Sequence, residues 1–250
     1  MRFHDKVVLV TGSGSGIGRA VALGFAREGA TVVAAGRRRE PLDQTVKLIE
    51  AEDGRATALT VDVTSSADVA ALVADIVRLH GRLDVAVNNA GVFSMGQVAD
   101  IGEDDWARTI DVNLTGVMLS MKHEIAAMRQ GGGGVIVNVS SQVGTHLRIP
   151  GLGAYAASKA AVTALSRTAA REYIREGIRI NVVSPGPHDT PMSSRPGETR
   201  ADRDERIKQQ LPIGRVGTLD EITATVLWLS SDEAGFAVGH DLVVDGGSTA

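Results

Sequence analysis

Apolar positions along this chain take two recurring forms. Short unbroken runs rich in Val, Ile and Ala occupy Val7 to Val10, Thr31 to Ala35, Ala56 to Val61, Leu83 to Asn88, Val135 to Ser140, Ile178 to Ser184 and Leu242 to Val244. Runs of this length and composition predict strands. Between them the apolar residues recur at helical spacing, as at Ile17, Ala20, Val21, Gly24 and Phe25, then at Val69, Leu72, Val73, Ile76 and Leu79. Strand and helix therefore alternate almost throughout. The alternation predicts an α/β fold in which parallel strands are joined by right-handed crossovers, a doubly wound sheet with helices on both faces. Ligands of such sheets bind outside the carboxyl ends of the strands, so the residues that follow each strand are the candidates for function.

No repeat, linker or charged tail divides the 250 residues, and a single domain over 1–250 is expected. Two stretches look irregular: Gly131 to Gly134, a turn before the fifth strand, and the Pro-rich, charged segment Pro185 to Glu205. Residues 187 to about 210 read either as a flap over the site or as a solvated loop. Composition narrows the chemistry. Glycine supplies 29 of 250 residues, well above the average of about 7%, so many positions need tight turns or close approach to a ligand. The absence of Cys removes disulfides, thiolate nucleophiles and Cys-based metal sites, so any redox chemistry must come from a cofactor. Net charge is -4, with none of the basic footprint that nucleic acid requires. The six His residues lack metal-ligand spacing, so no metal is expected. No apolar stretch approaches the roughly 18 residues of a membrane span, and the run at Val7 to Val10 is far short of a signal segment. A cytoplasmic protein with no membrane partner is the expectation.

After the first strand comes Thr11-Gly12-Ser13-Gly14-Ser15-Gly16-Ile17-Gly18, opening a helix. Side-chain-free positions let backbone N–H groups and the helix N-terminus face a pyrophosphate. The spacing of Gly12, Gly16 and Gly18 is G-x-x-x-G-x-G and not G-x-G-x-x-G. At the end of the second strand a dinucleotide site calls for a carboxylate to hold the ribose 2′-hydroxyl. The chain instead reads Ala35-Gly36-Arg37-Arg38-Arg39. Guanidinium groups suit a 2′-phosphate, which points to NADP(H) held by Arg37 and Arg38, with NAD(H) as the alternative and Arg39 as surface. Tyr155 and Lys159 stand at i and i+4, about 6 Å apart along one helix face. A phenol near pKa 10 becomes a usable acid or base when an ammonium beside it favours its anion. Ser140-Ser141 ends the fifth strand at the same edge, where a hydroxyl could donate to a carbonyl oxygen.

Taken together, Thr11-Gly12-x-x-x-Gly16-Ile17-Gly18, Asp62-Val63, Asn88-Asn89-Ala90-Gly91, Asn113, Ser140-Ser141, Tyr155-x-x-x-Lys159, Asn181-x-x-Ser184-Pro185-Gly186 and Val244-Asp245-Gly246-Gly247 resemble the compact branch of the short-chain dehydrogenase/reductases. The resemblance runs unbroken from about Lys6 to the C-terminus. It implies a seven-stranded Rossmann fold and hydride transfer between a nicotinamide and a carbonyl or alcohol carbon. It makes Tyr155 the general acid/base, with Lys159 lowering its pKa and holding the nicotinamide ribose. Ser141 would orient the substrate oxygen, and Asn113 would keep a water-linked proton relay in line with Lys159. Ser15 joins the glycine turn; Asp62 and Val63 would border the adenine, Asn89, Ala90 and Gly91 its ribose, and Pro185, Gly186 and Thr190 the carboxamide end. Ser141 and Tyr155 are 14 positions apart, one more than the family pattern leads one to expect, which leaves Ser140 as the alternative hydroxyl.

The resemblance also suggests a pocket of Phe93, Val143, His146, Leu147, Leu152, Pro187, His188 and Met192, largely apolar, for a medium-sized ketone or alcohol. It implies a homotetramer as well. A 3-oxoacyl-carrier-protein reductase and an NAD-dependent alcohol or sugar dehydrogenase are the alternative functions.

Overall fold

The computed structural model describes residues 1–195 and 197–250. Pro196, inside the expected flap, lies outside the described residues. Seven parallel strands form one sheet: β1 (Val7–Thr11), β2 (Thr31–Gly36), β3 (Arg55–Thr60), β4 (Val85–Asn88), β5 (Gly134–Val139), β6 (Ile178–Pro185) and β7 (Asp241–Val244), in the order β3-β2-β1-β4-β5-β6-β7. All seven predicted strands are present, with ends shifted by a residue or two.

Among the described residues eight α-helices connect them: α1 (Gly16–Arg27), α2 (Arg39–Glu50), α3 (Ser66–His80), α4 (Glu103–Ile110), α5 (Gly116–Gly131), α6 (Gly153–Tyr173), α7 (Arg200–Gln210) and α8 (Leu219–Ser230). Successive strand residues point to opposite faces, so β1 serves two cores. Val7 and Leu9 join α3, α5 and α6 on one face, while Val8 and Val10 join α1 and α8 on the other. Double winding thus follows from unbroken apolar runs, because a strand covered on both faces has no polar side to show.

Two elements differ from the expectation. Part of the segment expected to be irregular is helical: α7 starts at Thr199, whose side chain accepts from the Asp202 N–H. Only Arg203 and Ile207 of this helix are buried, so it carries too little apolar periodicity to be seen in the sequence. The second is a π-helical turn, Asp111–Thr115, between α4 and α5, in which the Gly116 N–H reaches back to the Asp111 carbonyl. Among the described residues no helix is long and apolar enough to cross a membrane.

Candidate active site

The chain leaves β1 toward β2 on one side and returns from β3 to β4 on the other, so a crevice opens where the carboxyl ends of β1 and β4 diverge. Its floor is pinned by Thr11, whose hydroxyl accepts from the N–H groups of Asn89 and Ala90 at 3.1 and 3.2 Å. Asn89 Nδ2 in turn donates to the Thr11 carbonyl at 3.0 Å. The glycines are forced by space: a Cβ on Gly18 would stand 2.4 Å from both Asn89 Nδ2 and the Gly12 carbonyl oxygen, and Gly12 has φ +68°.

Beyond the turn, α1 begins at Ser15 with no side-chain cap and no acidic residue in its first turn. The N–H groups of Gly16, Ile17 and Gly18 therefore face the crevice with positive partial charge and no competing carboxylate. Arg19 braces the turn, donating to the Gly14 carbonyl and, at 3.0 Å, to Thr45 on α2. At the rim, Arg39 is taken up by Asp43 at 2.7 Å, whereas Arg37 and Arg38 are exposed and have no ion-pair partner among the described residues. Across from them, Thr64 donates to Asp62 through its N–H and hydroxyl at 3.0 and 2.8 Å, holding that carboxyl below its usual range. The neighbouring Val63 is buried against Gly116. Thr190 crosses from the far side, its methyl 3.4 Å from where a Gly16 Cβ would sit, and Gly186 is held to Val244 by its N–H at 2.8 Å. An uncapped helix start, a cradle that any Cβ would fill and free guanidinium groups at one end are features that fit a nicotinamide dinucleotide.

The π-helical turn projects Asn113 into the β4 loop. Its Oδ1 accepts from the Val92 N–H at 2.8 Å, and its Nδ2 donates to the Val92 carbonyl at 2.9 Å and to Ser158 at 3.1 Å. Gly91 lies directly over this clamp, where a Cβ would meet Asn113 Oδ1 at 3.3 Å and Lys159 Nζ at 3.5 Å.

Tyr155 and Lys159 lie on the buried face of α6. Lys159 Nζ donates to the Val139 carbonyl at 2.9 Å and stands 5.8 Å from the Tyr155 ring centre. Burial pulls the ammonium down to about 8. Burial pushes the Tyr155 phenol up, and the Ser141 hydroxyl beside it opposes that rise. The direction is upward because desolvation of the buried phenol dominates, while Lys159 Nζ is engaged by the Val139 carbonyl. The two serines separate cleanly. Ser140 donates to the Lys159 carbonyl at 2.9 Å and faces the body of α6, while Ser141 is the one beside Tyr155.

Around Tyr155, Val143 and Leu152 pack as one cluster, and Phe93 meets the phenol ring edge-on at 5.0 Å. Phe93, Met95, Ile149 and Met192 are exposed around this wall. The two imidazoles expected in the pocket are spent elsewhere. His146 Nε2 lies 2.7 Å from Asp241, a carboxylate that also accepts from Ser184 at 2.6 Å, and His188 is buried with its ring against Gly217.

Comparison with known proteins agrees with this geometry. Residues 12–249 match the family described as enoyl-(acyl carrier protein) reductase. The chain is 40% identical over 248 residues to a 3-oxoacyl-[acyl-carrier-protein] reductase of Thermotoga maritima, covering 99% of each. It is 40% identical over 267 residues to a 3β-hydroxysteroid dehydrogenase of Mediterraneibacter gnavus, covering 99% of this chain and 96% of the relative. Against a cyclohexanol dehydrogenase of an Acinetobacter species it is 39% identical, covering 100% and 97%. A solved short-chain dehydrogenase/reductase from Burkholderia xenovorans superposes with a TM-score of 0.92 at 39% identity, over 99% of this chain and 97% of that one. The chain belongs to the short-chain dehydrogenase/reductase family.

This short-chain dehydrogenase/reductase is an oxidoreductase of a family that works between alcohols and ketones with NAD(P)(H). A cavity of about 540 Å³ lies away from Tyr155, between α7 and the start of α8, lined by Asp189, Arg200, Arg203 and Arg215 among others. Its arginines are paired with Asp189, Asp204 and Glu221, so it offers a ligand no free charge from them. Sequence reasoning missed Asp241, whose partners come from distant segments, and Glu124, which is fully buried on α5. Glu124 did leave a signal: it sits on the apolar stripe of Val117, Met121 and Met128.

Proposed function

We propose that this dehydrogenase/reductase transfers hydride between NADP(H) and a medium-sized, mostly apolar ketone or secondary alcohol, with Tyr155 as the general acid/base. One observation carries the reading: the Ser141 hydroxyl stands beside the Tyr155 phenol at the base of an apolar wall made by Phe93, Val143 and Leu152. Two hydroxyls can bind one substrate oxygen there, and little else polar on this wall competes for it. The cofactor would be held by Gly12, Ser15, Gly16, Ile17 and Gly18 at its pyrophosphate, by Asp62, Val63, Asn89, Ala90 and Gly91 along the adenosine, and by Lys159, Pro185, Gly186 and Thr190 at the nicotinamide end.

When bound, the nicotinamide gives or takes the hydride. In reduction Tyr155 Oη delivers its proton to the carbonyl oxygen as charge develops there, and in oxidation it removes the hydroxyl proton. Ser141 holds that oxygen in line. Lys159, a buried cation near neutrality, stabilises the phenolate left behind, and Asn113 keeps the Val92 loop closed over it. The names of the cyclohexanol and 3β-hydroxysteroid relatives describe hydroxyls on saturated rings, and the flat apolar wall beside Tyr155 suits such a substrate.

The carrier-protein relative favours a second reading, an acyl substrate presented by an acidic partner. That partner would need a basic rim, and Arg129, one candidate for it, is held bidentate by Glu176 at 2.5 and 2.7 Å. A homotetramer is the proposed assembly; Trp106, Met118 and Phe236 are exposed apolar side chains that it could cover. A monomer mass in light scattering would refute it.

Side-by-side titration with NADPH and NADH, read by nicotinamide fluorescence, tests the cofactor. NADPH should bind at least tenfold tighter, about 1.4 kcal/mol. Equal or tighter NADH binding would turn the reading to an NAD-dependent alcohol dehydrogenase. With the cofactor known, turnover on cyclic against acyclic and thioester-linked ketones separates the substrate classes.

A further inference from the structure

Behind the catalytic edge, a chain of buried polar side chains runs from α6 along one face of the sheet, over β5 and β4, to α5, and its hydrogen-bond directions can be worked out from one end. The Val162 carbonyl can only accept, so Ser166 donates to it, at 2.7 Å. The Ser166 oxygen is then the acceptor for Asn138 Nδ2, at 2.8 Å. That fixes the Asn138 carboxamide with Oδ1 toward Asn88, and Asn88 must donate to it through Nδ2, at 2.9 Å. The second hydrogen of Asn88 Nδ2 goes to Glu124 Oε2, also at 2.9 Å. Both donors of Asn88 are now used. Two atoms remain, sealed from solvent and without a partner: Asn88 Oδ1 and Glu124 Oε1.

If Glu124 were ionised, both leftover atoms would be acceptors, and a buried charge would lack a counter-ion. A single proton on Oε1 satisfies both at once. We propose that Glu124 is a neutral carboxylic acid in the folded protein, joined to Asn88 by two parallel hydrogen bonds, and that it is a positioning residue for the β4 end that leads into Asn89, Ala90 and Gly91.

The surroundings agree. On the same face of the sheet α3 buries Val69, Leu72, Val73 and Ile76, and β5 contains no titratable side chain. Of the titratable groups on the packed elements, Asp84 before β4 pairs with Arg82 and Lys6, Lys159 of α6 with the Val139 carbonyl, and His123 of α5 with Ser66, whereas Lys122 of α5 is exposed and His80, the last residue of α3, has a buried Nε2 without a partner. Glu124 forms no ion pair among the described residues. Burial pushes its carboxyl up to about 7, against the opposing bond from Asn88.

The sign of the pH effect follows. A carboxyl raised from 4.5 to about 7 in the fold contributes stability that is fully present below 4.5 and is lost as pH rises through about 7. Glu124→Gln keeps both hydrogen bonds, since its amide N–H replaces the acid O–H, and removes the titration.

The test is an infrared titration of the full chain, with Tm and NADPH affinity measured on wild type and E124Q from about pH 5 to about pH 9. Wild type should show a protonated-carboxyl C=O band at pH 6 that fades as pH passes about 7 and that E124Q lacks. Its Tm should fall relative to that of E124Q between about pH 5 and about pH 7 and run parallel above that, and its NADPH affinity should weaken relative to E124Q by several-fold as pH passes about 7. No protonated band at pH 6, or equal pH slopes of Tm in the two proteins, overturns the neutral-acid assignment. Equal pH slopes of affinity overturn the positioning role. Should E124Q fail to fold, the wild-type band titration decides alone. Only the affinity measurement rests on the cofactor reading above; the band and Tm stand apart from it.

Discussion

The two sides of the crevice are built from different materials. On the cofactor side, position is set by main chain and small residues: Gly12 and Gly18 admit no Cβ, Thr11 and Asn89 lock two strand ends together, and Asn113 holds Val92 through both of its amide groups. On the substrate side, the wall is side chain. Phe93, Met95, Ile149 and Met192 stand exposed on loops, and the imidazoles beside them are anchored to Asp241 and to the Gly186 carbonyl. A site made of backbone fails when one atom is added, whereas a site made of loop side chains tolerates change and alters preference. On the proposed reading this is a division of labour, in which the first side would fix the reaction and the second would select what reacts.

Substitutions can break or sharpen that contrast. The largest effect belongs at the junction of the two sides. Tyr155→Phe should lower turnover by about 10²- to 10⁴-fold while leaving NADPH affinity intact, and near-wild-type turnover would remove the mechanism. On the cofactor side, Gly18→Ala puts a methyl 2.4 Å from the Gly12 carbonyl. Overpacking of that kind should cost about 1–3 kcal/mol, read as a lower Tm and weaker binding of both NADPH and NADH. Unchanged affinity would show that the turn has slack. Arg37→Ala should weaken NADPH by about tenfold and spare NADH; equal loss for both nucleotides would make Arg37 a general surface charge. The smallest effect is expected on the substrate side. Met192→Ala should change KM for ring ketones by only about fivefold, roughly 1 kcal/mol, with kcat and Tm held, and a lost kcat would erase the distinction between the sides.

The same contrast explains what could be read in the sequence. Strands buried on both faces announce themselves as unbroken apolar runs, and a glycine required by backbone crowding can be recognised in one dimension, so the sheet, its winding and the cofactor turn were legible. Tyr155 and Lys159 were legible as a pair because four residues make one helical turn. Ser141 could be separated from Ser140 only in three dimensions, where Ser140 donates into α6 and Ser141 stands beside Tyr155. The Asp241 link joins segments 95 positions apart, and no local pattern encodes it. The rise of the Tyr155 phenol comes from its burial, which the i, i+4 spacing of a phenol and an ammonium does not encode.

The π-helical turn at Asp111–Thr115 has a consequence for the whole helical rod. Such a turn is a helix with one residue inserted, and each residue advances a helix by about 100°. The insertion is a phase shift: α4 before it packs on α6, while α5 after it packs on α3. One continuous rod thereby addresses two neighbours that lie in different directions. Removing a single residue from this turn would straighten the helix and put its two halves out of step with their partners. The irregularity that aims Asn113 is also the gear that lets both halves mesh.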